Sequence, residues 1–292
     1  MRKHAYLIIA HQEFEILELF LKCLDSEYND FYIHIDKKVK NFEFSKFQNI
    51  CKKSIVEFTD KRINVHWGGK SLIICEFELM KKVFKKNYSY VHLCSGVDLP
   101  LKNKEEIYDF FEKSHNKQFL ELLSQEGYAF DRLKYMNLFN DTKYRNKKII
   151  MVMNNIIDHF QNYFQIYNRI SKQKIVKTAQ WFSLTGEAVD YIYEQRKKYI
   201  KMFKHSVCGD ELFVGTILYG TNYWKNLYST EPHKKGNMRF MKWTSDFRNA
   251  SGLTINDYDE IKVSNCLYGR KFSFNVDKNI ILKLYNENVN IK

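Results

Sequence analysis

Proline is nearly absent, with two residues in a chain of 292. That excludes proline-rich linkers and collagen-like repeats and favours one continuous domain without a hinge segment. Long apolar runs are missing too. After the basic start Met1-Arg2-Lys3-His4, the apolar stretch runs only from Ala5 to Ala10 before His11 interrupts it, too short for a signal h-region or a membrane span. No other stretch approaches the roughly 18 uninterrupted apolar residues of a span, so the expectation is a cytoplasmic chain. Cysteine supplies neither a zinc site nor a disulfide frame. Cys23, Cys51, Cys75, Cys94, Cys208 and Cys266 lie far apart, form no C-x-x-C pair and sit mostly among apolar neighbours, so they read as buried thiols. Acidic residues are in short supply, 34 Asp+Glu against 47 Lys+Arg, for a net charge of +13. Such a chain calls for an anionic partner, and composition does not choose among nucleic acid, an anionic membrane and a phosphate-bearing substrate.

What is present is a globular composition, 45% hydrophobic and 16% aromatic, which excludes disorder. Short apolar runs alternate with segments of helical period, the pattern of an α/β fold with a mostly parallel central sheet flanked by helices. Ala5–Ala10, Phe31–Ile35, Ile55–Phe58, Tyr90–Cys94 and Phe119–Leu122 read as strands. Phe14, Leu17, Leu21 and Leu24 share one helical face, and Leu72, Cys75, Leu79 and Val83 another. In the second half, Ile149, Val152, Ile156, Phe160, Tyr163, Tyr167 and Ile170 predict a long amphipathic helix. A strand around Gln180–Leu184, a helix from about Glu187 to Met202, a short helix opening near Gly209-Asp210-Glu211, a strand at Arg239–Trp243 and a terminal helix at Val276–Tyr285 follow. The strand ends carry polar residues, namely His11, Asp36 and the turn Ser95-Gly96-Val97-Asp98-Leu99-Pro100, where open α/β sheets bind ligands.

Several motifs have a bland reading beside a chemical one. Gly68-Gly69-Lys70-Ser71 ends like a phosphate-binding loop, but the glycine required five residues before Gly69 is Asn64, so an NTPase loop is not expected. Metal-dependent nucleotide-sugar enzymes carry Asp-x-Asp after a central strand; here that strand end offers the single carboxylate Asp98. The literal Asp257-Tyr258-Asp259 reads as a helix start. His34-Ile35-Asp36 is open between two metal ligands and an aspartate that receives a ribose hydroxyl. Asp210-Glu211 taken alone is a cap, Arg270-Lys271 a solvated pair, and Trp67 and Trp181 core aromatics.

Their order carries more than each alone. His4-Ala5-Tyr6-Leu7-Ile8-Ile9-Ala10-His11, Phe31-Tyr32-Ile33-His34-Ile35-Asp36, Val65-His66-Trp67-Gly68-Gly69-Lys70-Ser71-Leu72, Leu93-Cys94-Ser95-Gly96-Val97-Asp98-Leu99-Pro100-Leu101-Lys102, Gln180-Trp181-Phe182-Ser183-Leu184, Gly209-Asp210-Glu211-Leu212-Phe213 and Leu267-Tyr268-Gly269-Arg270-Lys271-Phe272 follow one another in the order and spacing of one family. The chain resembles the core-2/I-branching β-1,6-N-acetylglucosaminyltransferases and peptide O-xylosyltransferases of glycosyltransferase family 14, over nearly its whole length. The resemblance implies a GT-A-like glycosyltransferase fold, a UDP-sugar donor with GlcNAc or xylose as the sugar, inversion, no metal cofactor, and a glycan or lipid-linked glycan acceptor. It further implies Glu211 as general base beside Asp210, Arg270, Lys271 and Arg248 on the diphosphate, and Ala10, His11, Asp36, Trp67 and Asp98 around the nucleotide and donor. Trp181 and Ser183 would line the sugar and acceptor side. Residues 1–125 would form the nucleotide-sugar half, 126–178 a basic helical segment, and 179–292 the catalytic and diphosphate-binding half of a single domain.

The chemistry agrees with that reading. An inverting transfer needs one carboxylate to take the acceptor proton, and a departing UDP without a metal needs fixed cations. Eukaryotic members have a membrane anchor and lumenal disulfides; this chain starts almost at its first strand, so a bacterial-type cytoplasmic enzyme of surface polysaccharide or lipo-oligosaccharide synthesis is expected. The basic excess concentrates in 132–177, ten cations against Asp141 and Asp158, a net of +8. Its helix either rests on an anionic membrane face or packs on the domain with its lysines solvated. The competing class is a basic nucleic-acid- or membrane-binding α/β protein without transferase activity. It lacks a recognisable nucleic-acid motif, and nucleic acid is not expected as a partner.

Overall fold

Each of the first two strands, β1 (His4–Ala10) and β2 (Asn29–Ile35), is buried at all seven positions. Burial on both faces is what a parallel strand covered by helices on either side requires. The computed structural model describes residues 2–124, 132–145, 147–166, 174–244 and 250–289. Further strands are β3 (Val56–Phe58), β4 (Tyr90–Ser95), β5 (Leu99–Pro100), β6 (Leu122–Ser124), β7 (Lys177–Thr178), β8 (Ser183–Thr185), β9 (Arg239–Met241) and β10 (Tyr268–Arg270). The main sheet has the order β3-β2-β1-β4-β8, parallel throughout except for β8, which runs antiparallel to β4. The expected α/β class with a mostly parallel sheet is the one observed. One apolar cluster on the sheet takes in the helices Lys70–Val83, Gly186–Glu194 and Phe213–Leu218. The other takes in Phe14–Leu24, Lys104–Lys113 and Lys278–Val289.

A small sheet, β5-β10-β9, stands at the carboxyl end of β4. It is joined to the main sheet by Arg239, whose side chain is 3% exposed. The guanidinium donates from Nη2 to the carbonyls of Leu93 (3.1 Å) and Phe182 (2.7 Å), from Nη1 to the Asn237 carbonyl, and from both to Ser183 Oγ (3.3 Å each). It also lies over the Tyr268 ring, 5.1 Å from the centroid. One side chain on β9 thus ties together β4, β8 and β10.

Boundaries depart from the periodicity in a few places. Phe119 makes only an isolated bridge with Ser183, and the strand that follows is β6, paired with β7. The helix Lys104–Lys113 is an addition to the expected elements; a capping box of Asn103 and Glu106 starts it, and Ile107, Tyr108 and Phe111 bury it. The span expected as one helix from Glu187 to Met202 divides at Gln195 into Gly186–Glu194 and Arg196–Met202. The long amphipathic helix is described over Lys148–Tyr163; Tyr167, Arg169, Ile170 and Lys172 lie outside the described residues. All six cysteines are free, five of them buried and Cys51 half-buried, as expected of structural thiols.

Arg239→Met keeps the apolar stem but removes the buried donors to the Leu93, Phe182 and Asn237 carbonyls and to Ser183 Oγ. It should cost about 3 kcal/mol or more, read as a lower urea midpoint at an unchanged slope. A loss below about 1 kcal/mol would show that Arg239 does not tie the sheets together.

Candidate active site

The carboxyl ends of β1, β2 and β4 converge. The Gly96 amide donates to the Ile9 carbonyl (2.9 Å) and the Asp36 amide to the Ala10 carbonyl (3.0 Å). A Cβ on Gly96 would come within 2.6 Å of the Ala10 Cβ, so only glycine lets these two turns touch. His11 follows at this junction. Its pKa is lowered by burial and by the charges of Lys38 and Lys271, against the pull of Asp36. Asp36 accepts from the Lys38 amide (2.8 Å), and its carboxylate pairs with the Lys38 ammonium at 3.4 Å. His34 Nε2 is taken by the Ile63 amide at 2.8 Å, and burial pushes the His34 pKa down to about 4, so the ring is a neutral acceptor within the sheet.

Asp98 closes the turn after β4. One oxygen accepts the Ser95 amide (2.9 Å), and the other faces Arg270 Nε at 3.7 Å. Burial raises the Asp98 pKa even so, with the charge of Arg270 opposing the shift. The Arg270 guanidinium lies over the Trp181 ring, its Cζ 3.9 Å from the centroid. Its Nε and Nη1 are buried donors without a hydrogen-bond partner among the described residues. Such donors are costly to leave unmet, and a guanidinium held over an aromatic face is a group that suits an oxyanion.

The carboxylate pair sits on a turn built for it. Cys208, at φ 49°, leads into a single 3-10 turn, Gly209–Glu211. The Cys208 amide donates to the Gly68 carbonyl (2.9 Å), and Asn140 Nδ2 donates to the carbonyls of both Gly68 and Ser206 (2.6 Å each). Glu211 Oε2 accepts from Arg132 Nη1 at 2.5 Å and lies 3.9 Å from Lys177 Nζ. Asp210 is buried, and its Oδ1 has no hydrogen-bond partner among the described residues. Burial, then the charge of Glu211, pushes its pKa up to about 7, with Arg132 and Arg145 pulling the other way. Behind it, the fully buried Glu76 is raised well above the usual carboxylate range by burial and by Asp210, and accepts from Gln180 Nε2 at 2.9 Å.

Neighbouring residues connect the two ends. Gln180 holds Glu76 behind the carboxylates, while Trp181 carries Arg270. The Trp181 carbonyl is fixed in turn by Asn237 Nδ2 (3.2 Å). Asp98, Arg270, Trp181, Asp210 and Glu211 therefore belong to one continuous region.

The remaining expected positions differ in outcome. Ser183 is fully buried, and its hydroxyl is committed to His92 Nδ1 (2.8 Å) and Arg239; it holds the sheet and cannot face an acceptor. Trp67 is 66% exposed rather than a core aromatic, with the Arg145 guanidinium 4.9 Å from its ring centroid. The Lys70–Val83 helix start is closed to phosphate because Asp141 Oδ1 accepts from Ser71 Oγ (2.5 Å) and its amide (3.3 Å). Asp257 caps its turn and pairs with Lys242 at 2.6 Å, which suits a helix start and not a metal pair. Arg248 lies outside the described residues.

Arg132, Lys177, Glu76 and Arg239 went unassigned in the sequence. Glu76 alone had a local signal: it falls at i+4 from Leu72 and i−3 from Leu79, inside the apolar stripe of its helix.

Comparison with known proteins follows this geometry. Residues 4–262 match the family described as Branch: Core-2/I-Branching enzyme. A stretch of 131 residues is 27% identical to xylosyltransferase 2 of Rattus norvegicus, covering 43% of this chain and 15% of that protein. A stretch of 135 residues is 22% identical to a xylosyltransferase of Ciona intestinalis, covering 45% of this chain and 16% of that one. The matched region thus takes in less than a fifth of the length of these curated relatives. Among solved structures, 4-diphosphocytidyl-2C-methyl-D-erythritol synthase from Anaerococcus prevotii is similar over 68% of this chain and 76% of that one, at 11% identity and a TM-score of 0.33.

The raised Asp210 pKa has a consequence for stability. The folded chain holds this proton up to about pH 7, whereas an unfolded aspartate releases it near pH 4. Stability is therefore lost as pH rises between those values and is level above them. Asp210→Asn should melt close to the wild type near pH 4 and several degrees higher near pH 8. A difference in Tm that does not change with pH would contradict the assignment.

Proposed function

Because the chain belongs to the core-2/I-branching enzyme family, we propose that it is a GT-A-like, inverting, metal-independent glycosyltransferase that moves a sugar from a UDP-sugar to a glycan hydroxyl. The observation that carries the reading is the buried Arg270, stacked on Trp181 with two unmet donors and joined through Gln180–Trp181 to the Asp210–Glu211 pair. GlcNAc and xylose are the donor sugars that the family and its relatives suggest. The alternative of a binding protein without transferase activity gives no account of these elements.

In the proposed reaction the acceptor oxygen attacks the anomeric carbon from the face opposite UDP, in a single displacement. As the new carbon–oxygen bond forms, Glu211 takes the hydroxyl proton, and the bond to the β-phosphate oxygen breaks with its electron pair. Both described cations, Arg132 and Lys177, engage Oε2 of Glu211, and Oε1 is the oxygen proposed to accept the proton. Glu76 is disfavoured as an anion by burial and Asp210, raised to about 7, carries only part of a charge near neutrality, which reduces the negative charge beside Glu211. Arg270 and Lys271 meet the charge that develops on UDP, in a partly dry site where such contacts are strongest. Asp36 and the turn at Ala10-His11 are proposed to hold the nucleoside, and Asp98 orients Arg270.

A donor screen that follows UDP release from a panel of UDP-sugars tests the reading directly. One or more UDP-sugars should be turned over, and activity should survive exhaustive EDTA treatment; restoration by manganese alone would overturn metal independence. Glu211→Gln should lower turnover about 10²- to 10⁴-fold with UDP affinity nearly unchanged, and near-normal turnover would remove Glu211 from the role of base. Lys271→Ala should weaken UDP binding about 10- to 100-fold by calorimetry, while acceptor KM stays within about threefold.

A further inference from the structure

The helix Lys148–Tyr163 faces the wrong way for a domain helix. Its apolar stripe, Ile149, Val152, Ile156, Phe160, Tyr163 and Phe164, recurs at three- and four-residue spacing, and each of these side chains is exposed, Ile149 to 68%, Ile156 to 62% and Tyr163 to 82%. The side turned to the protein carries Ile150, Asn154, Ile157 and Gln161, and only Gln161 is fully buried. Gln161 holds the helix by a reciprocal pair with Met136, accepting its amide at 2.8 Å and donating to its carbonyl at 3.4 Å. Packing on the domain, one of the two readings open from the sequence, is thus not how the apolar stripe is used.

Charge completes the description. Lys143, Lys147 and Lys148 are exposed at the start of this helix, and none has a carboxylate within ion-pair distance among the described residues. Lys143 and Lys147 both lie 4.9 Å from the ring centroid of Tyr144, itself 45% exposed. The next residue, Arg145, reaches the exposed Trp67, beside the turn that carries Asp210 and Glu211. Apolar and aromatic side chains with lysines at one end suit an interface in which phosphates lie above acyl chains. No helix among the described residues is long and apolar enough to cross a membrane.

We propose that the Lys148–Tyr163 helix docks on an anionic phospholipid bilayer, inserting its Ile149–Phe164 stripe at the acyl boundary while Lys143, Lys147 and Lys148 meet the headgroup phosphates. The surface is independent of the sugar-transfer reading, because binding is measured without any substrate. The test is co-sedimentation of the full chain with vesicles of phosphatidylcholine alone and with about 30% phosphatidylglycerol. Binding should require the anionic lipid and should weaken steeply between about 50 mM and 500 mM salt. Lys147→Glu/Lys148→Glu should bind about 20-fold more weakly, and Ile156→Asp/Phe160→Asp should not sediment with vesicles. Both pairs are surface changes, so far-UV circular dichroism and Tm should match the wild type. The proposal is overturned by absence of sedimentation at low salt, by equal binding to neutral vesicles, or by a concentration-dependent dimer that Ile156→Asp/Phe160→Asp abolishes.

Discussion

A guanidinium buried among carbonyl groups organises this molecule. Arg239 has no carboxylate within ion-pair distance among the described residues. Its charge is met by the Leu93, Phe182 and Asn237 carbonyls, the Ser183 hydroxyl and the Tyr268 ring. Each carbonyl belongs to a segment that a functional residue depends on. Leu93 lies on β4, which ends in the Ser95–Asp98 turn; Phe182 follows Trp181; Asn237 fixes the Trp181 carbonyl; and Tyr268 is two residues before Arg270. The same cation, with burial acting first, helps hold His92 well below its usual pKa. Burial likewise lowers the pKa of His4, against its contact with Glu112, and its Nδ1 lies 3.1 Å from His92 Nε2.

From that joint the charges separate by type. Arg270 is buried on an aromatic face with one carboxylate at 3.7 Å, a spacing that orients the guanidinium without consuming its donors. Glu211 is partly exposed and close to two cations, while Asp210 and Glu76 are buried and favour their protons. Burial thus pushes Asp98, Asp210 and Glu76 toward their protonated forms, with neighbouring charges acting for or against the shift. The segment 132–145 takes part in this arrangement: the Arg132 carbonyl accepts the Val207 amide (3.1 Å), and the Asn137 amide donates to the His205 carbonyl (3.1 Å). It clamps the turn of the carboxylate pair.

Much of this was legible in the chain. The fully apolar runs of β1 and β2 announce strands buried on both faces, and their polar ends, His11, Asp36 and Asp98, do meet near a common edge. What stayed hidden was hidden for physical reasons. Arg132 sits in a run of surplus cations, and its pairing with Glu211, 79 positions on, is a tertiary event with no local trace. Ser183 has the same sequence surroundings whether it faces a ligand or a buried arginine; the β4–β8 register alone decides that it points inward to His92 and Arg239. The Lys104–Lys113 helix was within reach, since the Asn103 and Glu106 pair and the spacing of Ile107 and Phe111 are written in the sequence.

The Lys148–Tyr163 helix marks the limit of periodicity as a signal. A stripe at three- and four-residue spacing states that one face is apolar; it does not state what covers that face. Of the cations in the basic stretch, Arg132 and Lys177 are used on Glu211 and Arg145 on Trp67, so the local surplus overstates what remains for an outside partner. Lys143, Lys147 and Lys148 stand at one end of the exposed stripe. An isolated helix of this length gains little from its own hydrogen bonds, and this one buries little more than a glutamine against its domain. The contacts that favour its apolar residues must then come from outside the described fold. A surface that is apolar below and anionic above supplies both of the missing terms at once.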